Sequence, residues 1–216
     1  MNTKPTAPWP ILKRPLVAIL RGIQPGEAAD IGAALVEAGF EAIEVPLNSP
    51  DPFRSIETLV SNFGSHCMIG AGTVLTADDV TKLADVGGKL LVSPNIDPSV
   101  MEKAAERGLI TMPGVLTPTE AITAVALGAS ALKFFPASNI GPEGIAAIKA
   151  VLPADTIVGA VGGVGNQSFK HYLAAGVQAF GLGSSLYTPG QSAADVSQRA
   201  REAVEMFDVA KGERAT

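Results

Sequence analysis

The stretch LVAILRGIQPGEAADIGAALVEAGFEAIEVPL, residues 16–47, places one amphipathic segment between two apolar strand candidates. The amphipathic segment carries Ile31, Leu35 and Ala38 at helical spacing, and Gly39 follows at a position typical of a helix end. A buried strand, a helix and a second buried strand make up the βαβ unit of parallel sheets. This stretch therefore predicts a parallel α/β fold.

The same pattern recurs along the chain. Eight strand candidates begin near Leu16, Ala42, Met68, Leu90, Ile110, Ala131, Ile157 and Ala179. The seven steps between positions 16 and 179 average about 23 residues, which is the size of a minimal βα repeat. Eight such units without a second-domain linker predict a single-domain α/β fold, the (β/α)8 TIM barrel, with an open parallel sheet as the alternative.

The barrel domain is expected over residues 16–209, after a proline-rich lead-in over residues 1–15 and before a polar tail over residues 210–216. Thr76, Asp97 and Thr117 each precede a helical segment and are predicted N-caps. The last helix is predicted from about position 192 to position 209.

Composition excludes several classes of function. The net charge of −5 and the absence of a lysine or arginine run disfavour nucleic-acid binding. The N-terminal segment lacks a signal-peptide core, and no apolar stretch approaches the ~20 residues that span a bilayer, so we expect a soluble cytoplasmic protein without a membrane partner. The single cysteine, Cys67, is expected to be buried, and His66 and His171 are not spaced as metal ligands, so no metal site is predicted.

Candidate catalytic groups fall at the carboxyl ends of the predicted strands, where barrel enzymes place their chemistry. Arg21 ends the first strand, Glu44 lies on the second, Thr73 ends the third and Lys133 lies on the sixth, in ALKFFPAS at positions 131–138. Three of these side chains are ionisable and would converge on one lumen, which is costly unless they pair with each other or with a ligand. The pattern favours a functional site, and a purely structural Arg–Glu–Lys network is the alternative.

Lys133 has a specific use in such a site. An amine in an apolar pocket near a second cation loses its proton more readily and becomes nucleophilic toward a carbonyl carbon. Its place in an apolar strand therefore indicates a Schiff-base lysine.

The glycines after the last two predicted strands point to a phosphate site. Gly162 and Gly163 lie in VGGVGNQS, and Gly183 and Ser184 lie in GLGSSL. Loops at these two positions of a barrel often hold a phosphate with backbone N–H groups. Either loop alone is also compatible with a simple tight turn, whereas the pair predicts anion binding.

Seven motifs together resemble the 2-keto-3-deoxy-6-phosphogluconate and phosphogalactonate aldolases. They are ILRG, EVPLNSP, IGAGTVL, SPNI, ALKFFPAS, AVGGV and GLGSSLY, and they cover the chain from about Pro15 to Gly190. The resemblance implies a class I aldolase that needs no metal or other cofactor, folds as a (β/α)8 barrel, acts on a phosphorylated keto acid and assembles as a homotrimer.

The resemblance also implies roles for the candidate residues. Lys133 resembles the Schiff-base lysine, and Glu44 resembles an acid/base that acts partly through a water. Arg21 and Thr73 resemble groups that hold the pyruvate portion of the substrate. The pairs Gly162–Gly163 and Gly183–Ser184 resemble the phosphate clamp.

Two departures bear on the branch of the family. Where the phosphogluconate aldolases usually have E-V-T-L-R-T and a threonine before the glycine pair, this chain has Pro46, Asn48 and Val161. These differences favour the phosphogalactonate branch and leave Arg21 to supply the charge for the substrate carboxylate. A phosphogluconate or dual-specificity aldolase, a phosphosugar isomerase or epimerase, and a non-catalytic phosphosugar binder are the alternatives.

Overall fold

All the strands in the computed structural model run parallel, and the structure describes residues 6–212. The strands are β1 Leu16–Ile19, β2 Ala42–Pro46, β3 Met68–Gly72, β4 Leu90–Val92, β5 Ile110–Met112, β6 Gly114–Val115, β7 Leu132–Phe134, β8 Val158–Val161 and β9 Ala179–Leu182. The helices are α1 Ala28–Ala38, α2 Pro52–Phe63, α3 Ala77–Asp85, α4 Pro98–Glu106, α5 Pro118–Ala126, α6 Ala137–Lys149, α7 Phe169–Ala174 and α8 Ala193–Lys211. The predicted alternation of strands and helices is confirmed.

The strands form a closed ring of eight positions. Their order is β5-β4-β3-β2-β1-β9-β8-β7-β6, and β5 and β6 share one position because only Pro113 separates them. The N–H of Ala131 donates to the carbonyl of Thr111 at 3.0 Å, and the N–H of Lys133 donates to the carbonyl of Pro113 at 2.9 Å, which closes the ring. The predicted TIM barrel is confirmed.

The fifth predicted strand differs in one respect from the structure, because it is divided into β5 and β6. Pro113 has no N–H and cannot donate to the ladder, so the strand is interrupted there. The ladder with β4 covers β5 and the ladder with β7 covers β6, although the carbonyl of Thr111 on β5 also accepts from Ala131, just before β7. For six of the eight predicted strands the observed first residue is the predicted one. The other two strands begin one residue later than predicted, at Leu132 and Val158.

Helix ends follow the predicted capping residues. The side chains of Thr76, Asp97 and Thr117 accept hydrogen bonds from backbone N–H groups in the first turns of α3, α4 and α5. Gly39 ends α1 in the left-handed conformation, with φ 102°. Helix α8 continues to Lys211, into the segment predicted as a polar tail, and residues 1–5 and 213–216 of the predicted lead-in and tail lie outside the described residues.

Side chains of the barrel divide into two apolar clusters according to the period of two along each strand. One cluster fills the lumen and includes Val17, Met68, Leu90, Met112 and Ala179. The other lies between the strands and the surrounding helices, and its members include Leu16, Ile43, Ile69, Phe134 and Phe180. Cys67 belongs to this outer cluster, as expected for a buried cysteine.

The lead-in closes the amino-terminal end of the barrel. Trp9 and Leu12 pack against the lumen cluster, and the hydroxyl of Thr6 lies 3.0 Å from that of Thr111 on β5. Arg14 then forms a bidentate ion pair with Asp208 of α8, at 2.6 and 2.8 Å. Among the described residues, no helix is both long and apolar enough to span a membrane.

Candidate active site

A cavity of about 520 Å³ opens at the carboxyl ends of the strands. Of the residues predicted to form the site, seven line this cavity: Arg21, Glu44, Lys133, Gly162, Gly163, Gly183 and Ser184. The structure therefore brings the ionisable groups and both glycine loops around one volume. That volume suits a substrate of the size of a small phosphorylated acid.

Glu44 lies at the centre of β2 and is 2% exposed. Its side chain fits in the lumen because β3 offers a glycine there: a Cβ on Gly72 would lie 1.7 Å from Glu44 Oε2. Oε2 is buried and accepts no hydrogen bond from any described residue. A buried acceptor without a partner is costly, so this oxygen is available to a water or to a substrate hydroxyl.

Burial raises the pKa of Glu44 to about 7, against the lowering effect of the positive charges of Lys133 and Arg21. Near neutral pH the carboxyl group can therefore both accept and donate a proton, which is the property of a general acid/base.

Lys133 lies at the centre of β7 and is 6% exposed. Its Nζ stands 4.7 Å from the centroid of the Phe135 ring, which is the next side chain on the same face of the strand. Burial lowers the pKa of Lys133, Glu44 opposes this, and the charge of Arg21 lowers it further. The neutral amine, which is the nucleophilic form, is therefore easier to reach than in an exposed lysine.

Lys133 and Glu44 interact at a distance rather than as a contact pair. Each shifts the pKa of the other, yet no ion pair joins them among the salt bridges of residues 6–212. Both residues line the same cavity, so a ligand bound there can contact the amine and the carboxyl group together.

Arg21 follows β1 and extends at the mouth of the cavity, where its Nη1 donates to Oδ1 of Asn48 at 2.6 Å. Asn48 lies in the loop after β2 and does not line the cavity. Arg21 and Lys133 are the two basic residues of the lining, and the acidic one is Glu44. Within residues 6–212, no three His, Cys, Asp or Glu side chains are grouped as ligands for a metal ion.

The two glycine loops present backbone donors. Gly162 and Gly163 both have left-handed backbones, with φ 88° and 73°. On this side of the cavity four residues have backbone N–H groups that donate to no acceptor within residues 6–212: Gly163, Val164, Ser184 and Ser185. Unpaired backbone N–H groups that converge on a cavity are the kind of donors that anion sites use.

Thr73 does not line this cavity, although it directly follows β3 at the same end of the barrel. It is half-buried and has a left-handed backbone, with φ 55°. Such a conformation is uncommon for a residue that branches at Cβ. Lining residues that sequence reasoning did not select include Ile19, Phe135 and Ser185, and only the period of two on β1 and β7 could have indicated the first two.

Known proteins share this sequence and this fold. A family model described as KDPG and KHG aldolase matches residues 10–205. The probable 2-dehydro-3-deoxy-6-phosphogalactonate aldolase of Rhizobium meliloti (strain 1021) is 60% identical over 95% of this chain and 97% of its own. The 2-dehydro-3-deoxy-6-phosphogalactonate aldolase of Escherichia coli (strain K12) is 47% identical over 90% of this chain and 95% of its own.

A solved structure described as native KDPGal superposes with a TM-score of 0.92 at 46% identity, covering 95% of this chain and 99% of that one. The range matched by the family model, residues 10–205, includes all the strands of the barrel, among them those that carry Lys133 and Glu44. The chain therefore belongs to the KDPG and KHG aldolase family of carbon–carbon lyases.

Proposed function

We propose that this protein is a class I aldolase that cleaves 2-dehydro-3-deoxy-6-phosphogalactonate to pyruvate and D-glyceraldehyde 3-phosphate. The observation that carries the proposal is a buried amine, Lys133, facing a buried carboxyl group, Glu44, across a cavity lined by unpaired backbone donors. The substrate is the one named for both relatives, at 60% and 47% identity.

In this mechanism Nζ of Lys133 attacks the C2 ketone, and loss of one water gives an iminium. The carboxylate of Glu44 accepts the proton of the C4 hydroxyl, directly or through a water. The C3–C4 bond then breaks, its electron pair enters the iminium to form an enamine, and the aldehyde phosphate leaves. Protonation of the enamine at C3 and addition of one water to the iminium release pyruvate and restore the amine.

The remaining predicted residues bind the two charged ends of the substrate. Arg21 carries the charge for the C1 carboxylate; the family resemblance gives Thr73 a part at the same end, although Thr73 does not line the cavity. The Gly162–Gly163 and Gly183–Ser184 loops hold the phosphate through backbone N–H groups, and this placement is supported by the free donors there.

The test is reduction with sodium borohydride in the presence of pyruvate, followed by peptide mass spectrometry. We expect a stable adduct on Lys133 in the wild type and none in Lys133→Ala, which should also lose turnover. Full turnover in Lys133→Ala would refute the covalent mechanism. Conversion of the phosphosugar to an isomer, with neither pyruvate release nor an adduct, would favour a phosphosugar isomerase or epimerase, and binding without any conversion would favour a non-catalytic binder.

The branch is tested by pyruvate release from the galactonate substrate and its gluconate epimer, measured side by side. We expect a preference for the galactonate compound. Equal or inverted rates would instead assign a dual-specificity or phosphogluconate aldolase.

A homotrimer is proposed for the assembly. Leu75 follows β3 and Leu116 follows β6, and they are 50% and 37% exposed, as apolar side chains at a subunit contact would be in a free chain. Sedimentation equilibrium should give three times the chain mass of 22.1 kDa. A monomer mass would overturn the assembly without affecting the mechanism.

A further inference from the structure

The guanidinium of Arg21 needs a restraint, since it is an exposed group at the end of a long side chain. Arginine carries about 2 kcal/mol of rotamer entropy, so an unrestrained guanidinium samples many positions at the mouth of a cavity. The structure provides a restraint through Asn48, whose Oδ1 accepts from Nη1 at 2.6 Å. This contact uses one of the five donors of the guanidinium and leaves the others available for a ligand.

The backbone that carries Arg21 is held as well. The N–H of Gly22 donates to the hydroxyl of Ser49 at 2.9 Å, and Ser49 is 7% exposed. On the other side, Gly22 lies against the loop after β9, where an added Cβ would come within 2.7 Å of Cγ of Pro189. Asn48 and Ser49, in the loop after β2, therefore hold Arg21 and Gly22, which follow β1.

The chemistry of the restraint matters because Asn48 is neutral. A carboxylate at this position would bind the guanidinium more tightly but would cancel its charge toward an anionic substrate. An amide oxygen orients the group and leaves the full positive charge available.

We propose that Asn48 is a positioning residue that fixes the guanidinium of Arg21 for the carboxylate end of the keto acid, without touching the substrate itself. The inference rests on the proposed aldolase function. It assigns a part in substrate binding to a residue that lies outside the cavity lining.

The experiment is iminium formation with pyruvate, trapped with borohydride across a range of pyruvate concentrations. Pyruvate contains the carboxylate and the ketone but no phosphate, so it reports on this end of the site alone. The variants are Asn48→Ala, which removes the acceptor, and Asn48→Asp, which keeps an acceptor and adds a charge. Asn62→Ala is the matched control, because Asn62 is also exposed and also makes one side-chain hydrogen bond, to the carbonyl of Thr58 on α2.

We expect Asn48→Ala to raise the half-saturating pyruvate concentration roughly three- to tenfold, the effect of one hydrogen bond, with the maximal trapping rate within about a factor of two. Asn48→Asp should raise it further, although it restores an acceptor, and Asn62→Ala should match the wild type. If Asn48 only stabilised the fold, both Asn48 variants would be less stable, but the half-saturating pyruvate concentration would not rise while the maximal trapping rate stayed the same.

Wild-type half-saturation in both Asn48 variants would overturn the inference alone. A raised KM for the phosphorylated substrate with unchanged pyruvate saturation would also overturn it, because Arg21 would then serve the phosphate end. Absence of any adduct in the wild type would overturn the proposed function and this inference with it.

Discussion

Replacing Gly72 by alanine tests whether the position of Glu44 controls the chemistry. The new Cβ would lie 1.7 Å from Oε2, 2.4 Å from Cδ and 2.6 Å from Oε1 of Glu44. Carbon atoms in contact need about 3.5–4.0 Å, so the carboxyl group must move by more than about 1 Å. A misplacement of about 1 Å can cost a factor of about 100 in rate, and loss of a general acid/base costs about 10² to 10⁴.

We therefore expect Gly72→Ala to lower kcat about 100-fold or more. The free energy of unfolding should fall by only about 1–3 kcal/mol, because the obstructing group is the end of a side chain. Iminium trapping with pyruvate should persist, since Lys133 lies on β7 and is not displaced. The assay is steady-state pyruvate release, together with urea denaturation and borohydride trapping.

Two further glycines serve as controls for this prediction. Gly26→Ala should behave like the wild type, because nothing lies within 4 Å of its added Cβ. Gly70→Ala should lose folding rather than catalysis, because its Cβ would lie 1.8 Å from the backbone carbonyl oxygen of Leu90. In a Glu44→Gln background, Gly72→Ala should cause little further loss of rate. Wild-type kcat in Gly72→Ala, or equal losses in the two backgrounds, would refute the reasoning.

Three other measurements test the candidate active site and an ion pair that stabilises the barrel. Because burial raises the pKa of Glu44 to about 7 and the carboxylate must accept a proton, kcat/KM should rise as pH increases through about 7, and Glu44→Gln should lose this step. A wild type without the step would exclude Glu44 as the base. Asp208→Asn should lower the free energy of unfolding at pH 7 by about 1.5–3 kcal/mol, since it weakens a charged hydrogen-bond pair with Arg14. Those hydrogen bonds lower the pKa of Asp208 in the folded protein. The contribution of Asp208 to stability is therefore complete above its pKa in the unfolded chain and is lost as the pH falls through its pKa in the folded protein. Acid should thus destabilise Asp208→Asn less than it destabilises the wild type. Val161→Thr should change the ratio of rates for the two C4 epimers by about tenfold at most, because it adds one hydrogen bond to the cavity wall.

Local sequence pattern was sufficient to predict the barrel and to single out Lys133 and Glu44 as candidate catalytic residues. The period of two placed Lys133 on one face of an apolar strand, and burial of a charge is costly enough to indicate function without knowledge of neighbouring strands. The glycine-containing loops after the last two strands could also be selected from the sequence, because barrel topology brings consecutive loops together.

What the sequence did not reveal depends on contacts between distant segments. The division of the fifth strand at Pro113 follows from a missing donor, but the change of partner depends on which strands lie on either side. The steric match of Gly72 with Glu44 and the contact of Asn48 with Arg21 each join residues 27 or 28 positions apart, on neighbouring units of the barrel. Resemblance drew attention to Asn48 as a departure from a related motif, but its partner became evident only from the structure.

The two apolar clusters allow substrate selectivity and stability to be altered by substitutions at different positions. Val161 belongs to the lumen, whereas Ala160 beside it belongs to the layer under the helices. A substitution at one therefore meets a different set of neighbours from a substitution at the other. Substitutions limited to lumen residues near the cavity can thus change the choice of substrate, while the side chains packed between the strands and the helices stay the same. Alternate residues of the same strands thus serve different purposes: those that face the lumen near the cavity can contact a ligand, and those that face the helices hold the fold together.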